Sequence, residues 1–284
     1  MYEGAVGLAD ELIKKDNNFH SLRSDCINCF GLCCVALPYA KSADFALDKE
    51  AGTPCPNLQS DFRCGIHKNL RTEGFRGCVG YECFGAGQKV SQVTYRGNDW
   101  RDQPALAKEM FDVFPIMQQL HEMLCYLQEA LGLEEAQPIN KELRYAIGET
   151  EKLTNLNPQS ILELNVPAHR AIVNDLLLRT SELVRAKVSA KKNVKRRDFI
   201  GANLKGADLR GANLRGGLLI AADLRKSDLR MADLIGADMR DADLRGANLT
   251  GSLFLTQAQV NSAKGDRTTK LPSALNIPEH WMND

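Results

Sequence analysis

The sequence predicts an α+β multidomain protein: a metal-stapled cysteine-rich module, a small helical bundle, and a coil with four short sides. Three observations carry this. Eight of the nine cysteines lie between Cys26 and Cys83, with only Cys125 outside. Residues 103–190 show apolar positions at helical spacing. From Lys192 to Thr256 the chain reads in fives. The expected divisions are 1–98 for the cysteine module, 99–191 for the helices, 192–256 for the repeat and 257–284 for a cap.

Composition narrows the function classes. Among 284 residues, 36 Lys plus Arg balance 36 Asp plus Glu, which disfavours a whole-chain nucleic-acid binder. No apolar run approaches the roughly 18 residues of a membrane-spanning helix, and Met1-Tyr2-Glu3-Gly4 does not open like a secretory signal. The expectation is a cytosolic (cytoplasmic) protein without a membrane segment. In that reducing compartment, dense cysteines point to metal ligands before disulfides.

The cysteine module reads Cys26-x2-Cys29-x3-Cys33-Cys34, then Cys55-Pro56-Asn57-Leu58, Cys64-Gly65-Ile66-His67 and Cys78-x4-Cys83. A Cys-x2-Cys pair lets two thiolates converge on one ion, and thiolate is the ligand that zinc and iron–sulfur iron prefer. The metal-ligand set is therefore Cys26, Cys29, Cys33, Cys34, Cys55, Cys64, Cys78 and Cys83. Adjacent Cys33 and Cys34 are expected to point apart, which argues for two centres or one multinuclear cluster with a spare thiol. Buried thiols packing as small hydrophobes explain one or two cysteines, not eight. The segment holds too little apolar content to fold alone, so metal binding is expected to fold it.

The module resembles the small zinc- or iron-chelating domain family marked by a CxxCxxCC-like run. That family goes on to Cys-Pro-x-Leu, Cys-x-Ile-Tyr, an Arg-Pro step and two final cysteines. Here three residues separate Cys29 from Cys33, His67 stands where the family often has Tyr, and Phe75-Arg76-Gly77 replaces the Arg-Pro step. The tight run and the family's association with iron favour an iron–sulfur cluster over zinc, and the thiolates satisfy either. His67 reads as a surface residue or a replacement ligand. Pro38–Phe45 reads as a loop packed on the metal core, and Gly85-Ala86-Gly87-Gln88 as a turn leaving the module.

In the middle segment, Pro104 and Pro115 suit first-turn positions. Met117, Leu120, Leu124, Leu127 and Leu131 form one stripe ending at Gly132. A second helix is expected over 141–153. A third opens at Pro167, with Ile172, Val173, Leu176, Leu177, Leu183 and Val184 on one side. His121 and Cys125, four apart, could share a metal, although packing is the ordinary role of such a pair. Between Arg185 and Arg197 seven basic residues occur without an acid. Such a run can grip phosphate, but no aromatic interleaves with it and a solvated helix end accounts for it.

In the repeat, the third place of each quintet is large and apolar, from Val194 and Phe199 through Leu249 to Phe254, and the first is mostly Ala or another small residue. A period of five matches neither a helix nor a strand, but fits a coil with one large and one small residue inward on each side. The quintets resemble the pentapeptide-repeat family, which implies a right-handed quadrilateral β-helix of 20 residues per turn. Every twentieth residue then stacks: Lys205, Arg225 and Arg245, beside Asp223 and Asp243. Ile200, Leu218 and Ile220 on one outer face, and Ile235, Leu253 and Leu255 on another, are expected to be covered by the middle helices. Some relatives in this family mimic DNA and inhibit topoisomerases, but residues 192–256 carry 12 basic and 8 acidic side chains, the wrong sign for a DNA mimic. Trp281 is expected to pack over the coil's end.

These readings converge on a cytosolic metal-binding adaptor, holding an iron–sulfur cluster or zinc, that presents its repeat to a protein partner. The alternative is an iron-dependent redox or modifying enzyme acting on a peptide or small molecule.

Overall fold

The computed structural model describes residues 21–188 and 197–282. Four basic residues of the Arg185–Arg197 run (Lys191, Lys192, Lys195 and Arg196), the first quintet and the opening Met1–Gly4 lie outside that range. The chain divides into two compact units. One comprises residues up to 74 with 83–132 and 139–176; the other comprises 75–82, 133–138 and 177–284.

The first unit is built round one long helix, Pro104–Gly132. Pro115 does not start it but lies within it, so the carbonyl one turn earlier loses its intrahelical donor. Met110, Val113, Met117, Leu120, Leu124 and Leu127 are fully or nearly buried along its inner stripe. Helices Asn140–Thr154 and Pro158–Leu162 pack on it with Leu143 and Ile161. Helix Val166–Ala186 contributes Val173 and Leu176 here, whereas Ile172 of the expected stripe points into solvent. The short helix Leu32–Ala36 also packs on the long helix, burying Leu32 and Val35. The cysteine-bearing loops therefore share one core with the helices. Their lack of apolar residues is offset by a neighbour's surface, which sequence composition alone does not reveal.

An aromatic series fixes the loops to that helix. Phe30, Phe62, Trp100 and Phe111 follow one another with ring centroids 5.4, 5.8 and 5.6 Å apart. Arg101 lies over Phe62 at 4.3 Å and donates to the carbonyls of Ser60 and Gln59, holding the loop that leads to Cys64.

The second unit contains the repeat, and here the α+β expectation fails. Among the described residues there is no β-strand, and helices are the regular structure. The quadrilateral β-helix is replaced by a coil of tight turns. Residues twenty apart meet through single parallel bridges, Asn203 with Asp223, Asp223 with Asp243, Asp208 with Asp228 and so on. Each five-residue step spends two residues on its turn, leaving one to bridge, which is too few for a strand. The fifth place, from Gly201 to Gly251, has positive φ at every step. Glycine fills seven of these eleven places because it adopts that conformation without Cβ strain.

The Leu ladder and its small partners (Leu209, Leu214, Leu219, Leu224, Leu229, Leu234 and Leu244, with Ala222, Ala232 and Ala242) form the core of the coil. At its late end, bridges widen to Asp243–Lys264 and Asn248–Lys270 as the chain turns through helix Gln257–Ser262. Trp281 is buried there and donates from Nε1 to the Ala263 carbonyl at 3.2 Å.

The expected cover over the outer apolar residues is uneven. Leu253 and Leu255 are buried and Ile220 and Ile235 half-buried, but Ile200 is 52% and Leu218 40% exposed. The end of helix Val166–Ala186 meets the coil at another place, where Arg185 Nε donates to the Gly211 carbonyl. Segment 75–82 belongs to this unit too. Its helix Arg76–Val79 packs on Gln257–Ser262, and Arg76 pairs with Asp241 at 2.5 Å.

Candidate metal centre

Seven of the eight cysteines, all in the first unit, form two groupings. The first gathers Cys33, Cys34, Cys55 and Cys64. Gly31 starts the helix that carries Cys33 and Cys34. It has φ 68°, and a Cβ there would press to 2.6 Å on Leu58 and 2.9 Å on the Phe62 carbonyl. The Cys55 amide donates to the Cys34 carbonyl at 2.8 Å, drawing the next loop alongside. Leu58 then pairs with Cys64 in an antiparallel bridge, and Gly65 N donates to Asn57 O. This returns Cys64 to the group.

Cys33 Sγ and Cys34 Sγ lie 3.9 Å apart, so the expectation that these neighbours point apart is corrected. Sulfurs about 2.3 Å from a tetrahedral ion stand about 3.8 Å from one another, so the pair has the spacing of two ligands of one ion. Cys34 is hydrogen-bonded to Cys64, with Cys55 close enough to act on it electrostatically. The Cys34 thiol is pushed up, first by its contact with Cys33; Cys64 is pushed up by its bond with Cys34 and by burial.

Two further residues complete this surround. Tyr39 Oη donates to Cys55 Sγ at 3.2 Å, and its ring stacks on Phe45 at 4.4 Å, so the 38–45 loop does pack on the cysteines. Lys49, paired with Tyr39 in an antiparallel bridge, is 5% exposed. Its Nζ donates to the carbonyls of Val35, Glu50 and Thr53 at 3.0, 3.1 and 2.9 Å. Burial pulls its ammonium down, and negative charge on Cys55, Cys34 or Cys33 would act in the opposite direction. Set between Asp48 and Glu50, Lys49 reads in the sequence as a solvated charge; no local signal marks it as buried.

The second grouping is Cys26, Cys29 and Cys83. Asp25 caps the turn Cys26–Asn28, accepting from Ile27 N and Asn28 N. Gln88 ties that segment down, accepting from Asp25 N and donating to Arg23 O at 2.7 Å. A Cβ on Gly87 would come within 2.6 Å of Cys29 Sγ, with Cys83 Sγ at 3.9 Å from the same point. Gly85–Gln88 is thus no mere exit turn. Ala86–Gln88 is helical and runs into a π-helix, Lys89–Thr94, and Gly87 is the floor on which Cys29 rests. Ser24 Oγ is 3.0 Å from Cys83 Sγ. Burial pushes the Cys29 thiol up to about 11, helped by Cys83 and Cys26.

Cys78 sits on helix Arg76–Val79 in the second unit. His67 is exposed on the turn His67–Asn69. His121 does not join Cys125 in a site. It is buried, its Nδ1 donates to the Phe84 carbonyl at 2.8 Å, and burial holds it down at about 4. His169 Nε2 meets Thr150 Oγ1 at 2.8 Å. Among the described residues, no three His, Cys, Asp or Glu side chains close into a metal-ligand shell. The donor set suits a thiolate-seeking ion in chemistry and in the Cys33–Cys34 spacing. Closing a shell requires the remaining sulfurs to draw in.

On the coil, the second-place acids have a role that charge counting missed. Asp223 Oδ1 accepts from Arg225 N, two residues on, and the Arg225 guanidinium grips the same carboxylate through Nε and Nη2. The same turn recurs at Asp208, Asp228, Asp238 and Asp243. Side-chain acceptance from a backbone amide two residues on is the ordinary chemistry of Asp and Asn in turns.

The profile of pentapeptide repeats matches eight copies over residues 196–216 and 218–254. A curated protein of Bacillus subtilis (strain 168), described as "Uncharacterized protein YybG", is 64% identical over 278 residues, covering 96% of this chain and 100% of that protein. The chain belongs to that protein's family. No solved structure matches it. The repeat profile covers none of the cysteine groupings. No helix among the described residues is long and apolar enough to cross a membrane.

Proposed function

We propose that this protein is a cytosolic adaptor in which bound metal, zinc or an iron–sulfur cluster, sets the shape of the cysteine loops while the pentapeptide repeat offers a surface to a protein partner. The observation that carries the metal reading is the gathering of seven cysteines into two groupings, one of four and one of three. Cys33, Cys34, Cys55 and Cys64 would hold one core; Cys26, Cys29 and Cys83 would contribute to another. Bound there, the metal supplies crosslinks between loops that have few strand or helix hydrogen bonds of their own. The adaptor half is supported by the repeat itself and by exposed Ile200 and Leu218, which sit at places that are polar in most other quintets.

Elemental analysis and an optical spectrum of anaerobically purified protein test the metal reading. Zinc or iron in stoichiometric amount is expected, and protein free of both ends it. For the adaptor half, Ile200→Asp together with Leu218→Asp is expected to abolish partner retention in a crosslinking pull-down without changing the metal content.

A further inference from the structure

The two groupings differ in their surroundings, and the difference is a buried cation. No carboxylate among the described residues pairs with Lys49. Three backbone carbonyls satisfy its donors, but dipoles do not cancel its charge. An ammonium withdrawn from water is costly unless an anion stands near. Among the described residues, the groups whose negative charge would support it are the sulfurs of Cys55, Cys34 and Cys33. As thiols these sulfurs carry no charge; as metal-bound thiolates they do. Four thiolates on one divalent ion leave a net charge of −2, and four on a four-iron cluster also leave an anion. Among the described residues no cation acts on Cys29 in this way; Gly87 lies against its sulfur, and the charges that act on it are those of Cys83 and Cys26.

We propose that Cys33, Cys34, Cys55 and Cys64 together hold a single anionic tetrathiolate metal core, with Lys49 as its resident counter-ion and the Tyr39 hydroxyl as hydrogen-bond donor to Cys55. The inference rests on the metal reading above and adds which sulfurs share a core and what balances it. Loading replaces each S–H bond with an S–metal bond and passes the protons to solvent, so nothing is oxidised or reduced. Residues that support ligand sulfurs from outside typically change metal affinity on the order of 10-fold to 100-fold when removed.

The test uses the full chain, metal-stripped and titrated anaerobically with Co²⁺, reading total bound metal and the sulfur-to-cobalt charge-transfer band. In a Cys29→Ser/Cys83→Ser background one equivalent with a tetrathiolate band is expected, and adding Cys34→Ser should remove it. In the same background, Lys49→Met is expected to weaken Co²⁺ about 10-fold or more and to move the band to lower energy. Loss of a neighbouring positive charge raises the energy of sulfur electrons, whereas a merely structural lesion lowers the band's height and leaves its position. Tyr39→Phe, a milder change, should shift the band the same way by less, and serves if Lys49→Met does not fold. An unmoved band in both variants overturns the role of Lys49 and Tyr39. Full retention of metal after Cys34→Ser overturns the four-sulfur core while leaving the metal reading intact. Failure of the wild-type chain to bind any Co²⁺, Zn²⁺ or iron removes both.

Discussion

Arg215 Nη1 donates to Asp233 Oδ2 at 2.9 Å from one turn of the coil to the next, and the Asp233 side chain has no exposure at all. Asp233 also accepts from Ile235 N through Oδ1 at 3.1 Å. The arginine is 12% exposed, so this pair is far drier than the Arg–Asp pairs on the outer faces. Removing one partner of a buried pair strands the other. Arg215→Ala should therefore cost about 3 kcal/mol, whereas Arg215→Met with Asp233→Asn should recover more than half of that. The measurement is urea unfolding followed on the repeat's transition. A cost below about 0.5 kcal/mol, the size expected of an exposed pair, would contradict the assignment.

Four of the eleven fifth places in the coil hold residues with a Cβ: Ala221, Lys226, Met231 and Asp241, at φ 54°, 56°, 56° and 57°. Each stores strain that glycine relieves. Ala221→Gly and Met231→Gly are each expected to stabilise the coil by about 0.5–1 kcal/mol, read as a raised Tm. Asp241→Gly is expected to gain nothing, because Asp241 is the partner of Arg76.

His121 supplies a pH dependence. It is neutral in the fold, with its protonation displaced from 6.5 down to about 4 by burial. The unfolded chain takes up a proton near 6.5, so stability is complete above that pH and drains as pH falls towards 4. At the low end the loss is about 3 kcal/mol. Carboxylates titrate in the same window, so the reading is a difference: Tm between pH 7 and pH 4 should fall more steeply for wild type than for His121→Gln.

Gly87 gives a prediction specific to the three-sulfur grouping. An alanine there would strike Cys29 Sγ at 2.6 Å, and the helical backbone leaves it little room to yield. Gly87→Ala is expected to lower metal bound by Cys26, Cys29 and Cys83 while the four-sulfur grouping keeps its full complement. Equal loss from both, by elemental analysis, would argue against two separate groupings.

Much of the repeat was legible: the Leu ladder and its small partners follow from which of the five places are apolar, and the twenty-residue stacking from what the family resemblance implies. Strands were not, because a period says where side chains point and not how many residues each turn consumes. Stacking alone places Asp223 beside the Lys and Arg column and does not show that Asp223 or Asp228 accepts from the backbone amide of its own turn as well as from its arginine. Clustering in the sequence does not show the division of seven cysteines into four and three, which depends on Cys55 and Cys64 arriving from different loops. Lys49 was illegible, since what marks it is burial against Val35 and Tyr39, contacts made across the fold.

Segment 75–82 falls between two stretches of the cysteine loops in the sequence yet keeps company with helix Gln257–Ser262, close to 180 residues later. The amino-terminal half cannot be cut away from the rest at any single peptide bond without orphaning one side of that contact. Proteolysis or gene truncation between the loops and the repeat should release two impaired fragments, and recombination that swaps one part for a foreign module should be poorly tolerated.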